Sequence, residues 1–328
     1  MNISDSQRIS TKLNELGYKS ASEEEADLVI VNACSVRQHA VDRIWGGIKK
    51  WKKAGKTIMI TGCVVKADQK KLKDRGVDFF NIDDLGRVFS KKEIIEDYFH
   101  IKPQLSGKMA YIPIMTGCNN FCTYCAVPYT RGREKSRPIK DILSEVKEAL
   151  DNNFKEILLL GQNVNSYKYG FDKLLLKIDK IIGDFKFNFM SSNPYDMTED
   201  IIGTFSKLTK WERVLHLAMQ SGDDEILRKM NRKYDSKKFL ELVLKLKKAM
   251  PDLIITTDII VGFPGETKAQ FNNTVEICKK IGFRKAYIGQ YSPRPGTVSS
   301  KMIDNVSKIE KKRRWLVLEQ SINKKIKN

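Results

Sequence analysis

The sequence predicts an α/β fold, with an N-terminal Rossmann-like parallel α/β domain followed by a partial (β/α)6 barrel. Three observations carry this expectation. Short β-branched runs alternate with amphipathic helical stretches along nearly the whole chain, the pattern of parallel α/β architecture. In the second part six such runs occur, near 109–116, 156–160, 186–190, 213–218, 253–261 and 285–291. Each is followed by a polar loop carrying Gly or Pro, the place where barrel-type folds build their sites. Six units fall short of the eight that close such a barrel, so an open one is expected.

With 328 residues the chain is long enough for two cores. The first expected unit spans 1–102. In it "DLVIVNAC" reads as a buried strand ending at Cys34, "VDRIWGGIKKWKKAG" as a helix, and "TIMITGC" as a second strand ending at Cys63. Ligand sites lie outside the carboxyl ends of parallel strands, so these two thiols are expected to face one crevice. "IKPQLSGK" (101–108) supplies Pro, Gly and Ser and reads as a linker. The barrel is expected over 103–305, with helices such as "DILSEVKEALDNN" between strands, and a basic helix over 306–328.

Lys and Arg number 59 against 40 Asp and Glu, a net charge of +19. Such an excess draws polyanions through counterion release, although runs such as "KKLK" and "LKLKK" also fit ordinary solvated helix faces. Charge alone leaves both readings open. No apolar run approaches the ~18 residues of a membrane span. The start, "MNISDSQRIS", is polar and unlike a signal segment. A cytoplasmic location without a membrane partner is therefore expected. The three histidines, His39, His100 and His216, have neither metal-ligand nor triad spacing and read as structural. Six cysteines are too few for a disulfide scaffold, and three of them crowd one motif, so ligation is favoured over bridging.

That motif is "GCNNFCTYCAVPYTRG", in which Cys118, Cys122 and Cys125 have the spacing C-x₃-C-x₂-C with no fourth cysteine nearby. A structural zinc closes its shell with four ligands. A four-iron cluster held by three thiolates keeps one iron open. An amine and a carboxylate could chelate that iron, and S-adenosylmethionine (SAM) offers both, together with a sulfonium that breaks on accepting an electron.

With Tyr124 before its last cysteine, the motif resembles the radical SAM superfamily. "CNNFCTYCAVPYTRGREKSRP", "LLGQNVNSY", "LHLAMQSGDDEILRKMNRKY", "TDIIVGFPGET" and "YSPRPGT" together resemble its methylthiotransferases, and within them the MiaB-type tRNA enzymes. The resemblance implies an N-terminal methylthiotransferase domain, a partial (β/α)6 radical SAM barrel and a C-terminal RNA-gripping TRAM β domain. It implies a methylthio group placed on carbon 2 of an N6-isopentenyladenosine beside the anticodon. One SAM would methylate sulfur at a second cluster, and another would yield the radical that removes the carbon-2 hydrogen. The implied partners are a tRNA anticodon stem-loop and a one-electron donor such as flavodoxin or ferredoxin. A monomer is expected.

By the same resemblance, Cys118, Cys122 and Cys125 are expected to hold the SAM-cleaving [4Fe-4S] cluster. Cys34 and Cys63 match two of the three ligands of a second [4Fe-4S] cluster. Around SAM the expected residues are Tyr124, Gln162, Asn163, Ser191, Ser192, Gln220, Gly262 and Glu266. "GFPGE" lets backbone approach the cofactor as only Gly permits; the polar residues also fit caps and turns. Arg131, Arg133 and Arg294 are expected at substrate or RNA. Cys278 is expected to be core packing.

The family's first N-terminal cysteine lies just ahead of a Met-Asn pair, and this chain begins "MNISDSQRI". Its second cluster is therefore expected to lack a ligand, its first domain a leading strand, and its C-terminal end the TRAM domain. A competent radical core without full methylthiolation is the resulting expectation. Other readings are a methylthiotransferase acting on threonylcarbamoyladenosine tRNA or on a ribosomal protein, and a zinc-stabilised nucleic-acid-binding module.

Overall fold

The computed structural model describes residues 1–34, 38–90 and 97–324. The first unit runs α1 (Asn2–Glu15), β1 (Leu28–Ala33), α2 (Gln38–Lys53), β2 (Thr57–Gly62), α3 (Lys66–Lys73), β3 (Asp78–Phe79) and α4 (Leu85–Val88). The strands form a parallel sheet in the order β1-β2-β3, with Leu28 opposite Thr57 and Ala33 opposite Gly62. Val, Ile and Thr fill β1 and β2 because branched side chains pack well on a pleated surface. One apolar cluster around Ile48, Ile60 and Leu72 packs α2 and α3 on this sheet; another joins Ile9 of α1 to Leu85 and Tyr98. His39 is the second residue of α2, but its side chain lies outside the described residues.

The second series is β4 (Met109–Pro113), β5 (Met115–Thr116), α5 (Val127–Thr130), β6 (Lys135–Ser136), α6 (Ile139–Asp151), β7 (Glu156–Leu160), α7 (Phe171–Asp179) and β8 (Lys186–Phe189). It continues through α8 (Glu199–Phe205), β9 (Val214–His216), α9 (Asp224–Lys229), α10 (Ser236–Ala249), β10 (Ile254–Val261), α11 (Lys268–Ile281), β11 (Lys285–Gln290) and α12 (Lys308–Leu318). Parallel ladders join β4-β7-β8 and β9-β10-β11, and the bridges Phe187–Trp211 and Ser192–Leu217 link the two sets. The six strands thus curve in sequence order, and among the described residues no ladder returns from β11 to β4. This is the open barrel expected from six units.

Alternation sets the two faces of each strand. On β10, Ile255, Ile259 and Val261 are buried and join the large core with Phe271 and Cys278 of α11. Thr256, Asp258 and Ile260 point the other way, half-buried, into the lumen. Phe189, Phe205 and Trp211 stack in the outer layer with centroids 4.7–5.4 Å apart. His216 is 5% exposed, with both ring nitrogens engaged 3.0 Å from Thr256 Oγ1 and Asp258 Oδ2, in keeping with a structural role.

The run at 109–116 is not one strand. After Pro113, Met115 and Thr116 turn into an antiparallel pair with β6, Met115 opposite Ser136 and Thr116 opposite Lys135. This short clamp pinches off residues 117–134 as a loop at the carboxyl end of β4. Two buried contacts join the first unit to the barrel. Arg8 of α1 donates to both Glu145 oxygens at 2.9 Å, and Arg137 reaches the same carboxylate at 2.7 Å. Arg131 meets Asp5 at 2.6 Å. At the other end, Ser307 caps α12, whose Trp315 donates to Ile288 O of β11. Among the described residues no helix is long and apolar enough to cross a membrane.

Candidate active site

The three-cysteine loop is held by its own backbone. Gly117 has φ +73°, and a Cβ there would stand 2.1 Å from Arg133 O, so only glycine lets the loop neck close. Cys118 N–H donates to Gly132 O across that neck. Further round, Thr123 N–H donates to Met230 O, and Ser299 N–H donates to Thr123 O, tying the loop to the ends of α9 and the β11 loop. Phe121 sits at φ +48°, a strained conformation for an aromatic residue. Asn231 holds it there, its Nδ2 donating to Asn120 O and Phe121 O at 3.2 and 3.1 Å.

Burial pushes the Cys118 thiol up and the Cys125 thiol to about 12, so each needs a cation beside it to become a thiolate. Donors already face the sulfurs. Val127 N–H points at Cys125 Sγ from 3.4 Å, and Arg232 Nη1 at Cys122 Sγ from 3.4 Å. Arg232 also donates to Tyr234 Oη, Asn193 Oδ1 and Ala218 O at 2.9–3.0 Å. Burial works against its charge, but Tyr124, Tyr234 and Cys122 outweigh that and raise its pKa. Arg232 was not singled out from sequence. The only signal was its place in "RKMNRKY", because its sulfur partner lies 110 positions away.

The carboxyl ends of β7, β8 and β9 bring the expected polar residues to the same mouth. Gln162 Oε1, Asn163 Oδ1 and Ser192 Oγ are buried there without a hydrogen-bond partner. A buried orphan acceptor or hydroxyl costs about 1–3 kcal/mol, so three together mark a place shaped for a polar ligand. Asn163 Nδ2 is fixed by Asp196 at 2.7 Å. Ser191 and Gln220 take positive φ values, +72° and +67°, as their strands break into loops. Tyr124 packs against the Ile226, Met230, Phe263 and Tyr291 cluster, and burial raises its pKa well above the usual value.

In the first unit Cys34 and Cys63 follow β1 and β2 and line one apolar pocket with Val41, Ile44 and Trp45. Cys63 also meets the other loop, through Arg131. Arg131 lies between the two loops. Its Nε donates to Cys63 Sγ at 3.2 Å, while Nη2 donates to Asp5 Oδ2 at 2.6 Å and Asn2 Oδ1 at 3.3 Å. Burial opposes its charge, and Asp5 then Cys63 overcome this, so its pKa is raised.

Four of the expected residues are engaged within the protein. Arg131, only 4% exposed, cannot be a surface contact for RNA; it is an internal bridge, because Asp5 holds its charge. Arg294 is 8% exposed and sits in the field of Cys34, Asp42 and Asp68, so it too faces inward. Glu266 is 3% exposed and accepts from Gly262 N–H at 2.6 Å and from Arg314 at 2.7 Å, which commits its carboxylate to the turn and to α12. Gly262 does permit a close approach, but of Lys311: a Cβ there would lie 2.3 Å from Lys311 Cγ. Arg133 alone of the three arginines is exposed. Cys278 is 3% exposed within the core, and burial raises its thiol to about 12.

Among the described residues no three His, Cys, Asp or Glu side chains converge closely enough for a single metal ion. A four-iron cluster has no such requirement, because each thiolate binds its own iron at a separate corner. Buried thiols facing N–H donors, beside orphan polar atoms, fit a thiolate-held cluster with a polar ligand against it.

The open barrel and its three-cysteine loop define a radical SAM protein, and residues 112–278 match the Radical SAM superfamily model. Residues 1–81 match the model described as "Uncharacterized protein family UPF0004". The tRNA-2-methylthio-N(6)-dimethylallyladenosine synthase of Thermoanaerobacter sp. (strain X514) is 39% identical, over 98% of this chain and 76% of its own length. The enzyme of the same name from Clostridium perfringens (strain 13 / Type A) is 37% identical, over 99% and 80%. The chain belongs to this family of synthases. Among solved structures, the cobalamin-dependent radical enzyme OxsB with aqua-cobalamin and S-adenosylmethionine bound has a TM-score of 0.62 at 9% identity, covering 97% of this chain and 53% of that one. The radical methyltransferase TsrM from Kitasatospora setae, with tryptophan and a SAM analogue bound, reaches 0.56 at 13%, covering 89% and 66%. Those two likenesses speak for the fold alone.

Proposed function

We propose that the protein is a tRNA methylthiotransferase that places a methylthio group on carbon 2 of N6-isopentenyladenosine next to the anticodon. The observation that carries this reading is the 39% identity to a synthase of that product over 98% of the chain. That likeness displaces the zinc-module reading.

Cys118, Cys122 and Cys125 would hold one [4Fe-4S] cluster, and Cys34 and Cys63 would contribute to a second. When bound, the first cluster and SAM supply the electron and the adenosyl radical, and a second SAM supplies the methyl group. The chain's own residues orient these parts. Tyr124 gives SAM an apolar wall. Gln162, Asn163 and Ser192 offer it their unpaired polar atoms, with Ser191 and Gln220 on the adjoining loop backbones. Arg232 places a fixed positive charge beside Cys122. Arg131 does the same for Cys63 and couples the sulfur-delivering unit, residues 1–102, to the barrel, residues 103–305. The target adenine must leave its stack to reach the mouth, at a cost of a few kcal/mol. A cytoplasmic monomer fed by flavodoxin or ferredoxin completes the proposal.

The test is anaerobic reconstitution with tRNA carrying N6-isopentenyladenosine, followed by nucleoside mass spectrometry. The methylthio nucleoside and 5′-deoxyadenosine should both form, and both should vanish in Cys118→Ala; 5′-deoxyadenosine alone would return the reading to a radical core without full methylthiolation. Modification of threonylcarbamoyladenosine tRNA or of a ribosomal protein instead would overturn the assignment.

A further inference from the structure

We propose that the rim of the barrel mouth is a stacking surface for unpaired RNA bases, made by Phe121, Tyr129, Tyr169 and Tyr195 with the cations Arg133, Lys168 and Lys233. The inference rests on the tRNA reading and adds the means by which the RNA is gripped around the site.

Three tyrosines in the loops at the carboxyl ends of β4, β7 and β8 stand open to solvent: Tyr129 at 43%, Tyr169 at 42% and Tyr195 at 53%. A single exposed tyrosine means nothing. Here each belongs to a group of ring and cation. Arg133 lies 4.3 Å over the Phe121 ring, whose edge meets Tyr129 at 6.0 Å between centroids. Lys168 lies 5.7 Å from the Tyr169 ring and Lys233 5.1 Å from the Tyr195 ring.

Hydrogen bonds join the supporting loops into a circuit around the cysteines. Ser166 donates to Glu134 at 2.6 Å, tying the loop of Tyr169 to that of Arg133. Asn163 donates to Asp196 at 2.7 Å, and Asn165 to Asn193 O at 2.8 Å, tying it to the loop of Tyr195. Arg232 donates to Asn193, and Asn231 to Phe121 O, which closes the ring. The strained backbone of Phe121 sits on this rim and is held by that last contact.

The chemistry matches single-stranded RNA. Ring faces accept any base, cations beside them take the adjoining phosphates, and the chain's net charge of +19 suits a polyanion. When one base is extruded into the mouth, its neighbours lose a stacking partner, and the rim supplies replacements.

The experiment compares binding of a fluorescent anticodon stem-loop RNA and a fully paired RNA of equal length across a salt series. The parent chain is compared with Tyr129→Ala, Tyr169→Ala, Tyr195→Ala, their triple combination and the matching Tyr→Phe variants. Each stacking tyrosine lost should weaken loop binding about 5- to 150-fold without changing the salt slope, while Tyr→Phe and paired-RNA binding stay near the parent. Lys168→Ala and Lys233→Ala should each instead lower the slope by about one. A triple alanine variant that binds the loop within about twofold of the parent, or that loses both RNAs equally, overturns the stacking surface alone. A parent chain that binds neither RNA overturns the tRNA reading and the surface together.

Discussion

Replacing Arg131 by methionine should unfold the protein at markedly lower urea concentration. The Arg131 and Asp5 side chains are 2% and 0% exposed and 2.6 Å apart. Removing one partner of such a pair leaves the other charge buried, at a cost of about 3–5 kcal/mol. Asp5 keeps the Tyr98 hydroxyl and the nearby Met1 amino group, which places the expected loss near the lower end, about 3 kcal/mol. That is a large share of the roughly 5–15 kcal/mol that holds a typical domain folded. Arg131→Lys keeps the charge but not the fork that spans Asp5, Asn2 and Cys63, so about half the loss is expected. Asp5→Asn together with Arg131→Met removes both charges and should be less costly than the two single losses summed, by about 2 kcal/mol or more. The assay is anaerobic urea unfolding of the apoprotein followed by tryptophan fluorescence. Trp45 and Trp51 report on the first unit, Trp211 and Trp315 on the barrel. A loss under about 1 kcal/mol for Arg131→Met, or additivity of the pair within about 0.5 kcal/mol, would refute the buried-bridge reasoning.

Gly262→Ala should cost roughly 1–3 kcal/mol from its φ of +70° and the clash with Lys311. Urea midpoints should show a smaller loss on a Lys311→Ala background. Arg313 and Arg314 hold the Glu310 carboxyl at about 2 in the folded state against 4.5 as the ordinary value. Its contribution is therefore complete above pH 4.5 and lost as pH falls through 2; after solvent screening it amounts to no more than about 1 kcal/mol. Thermal melts of Glu310→Gln against the parent should converge across that window. Arg232→Leu removes a donor from Cys122 sulfur and should make a bound cluster harder to reduce; an unchanged midpoint in potentiometric EPR titration would count against that role. Thr267→Val breaks the capping box of α11 and should lower the unfolding free energy by about 1 kcal/mol, read from the same urea curves.

Much of the architecture was legible because it is local. Six apolar runs with polar Gly- or Pro-bearing loops behind them sufficed to place six strands and the mouth they form. The clamp of β5 and β6 escaped notice because two-residue strands carry no periodicity. Side-chain roles were harder where partners are remote. Arg131 reads from sequence as a basic loop residue, but Asp5, which turns it inward, is 126 positions away. Glu266 reads as part of a ligand loop, yet Arg314, 48 positions on, takes its carboxylate. A one-dimensional pattern records what a residue can do and not which charge it meets.

Glu145 serves two guanidinium groups at once, Arg8 from the first unit and Arg137 from the base of the cysteine loop, with side-chain exposures of 0%, 3% and 11% for Arg8, Arg137 and Glu145. It acts as a latch. Swinging the two units apart would break both pairs at once, parting Arg8 from this carboxylate and Asp5 from Arg131. With both pairs closed, the way to the cysteines lies over the rim of the mouth, which suits what can be threaded through it, such as one nucleotide drawn out of its strand.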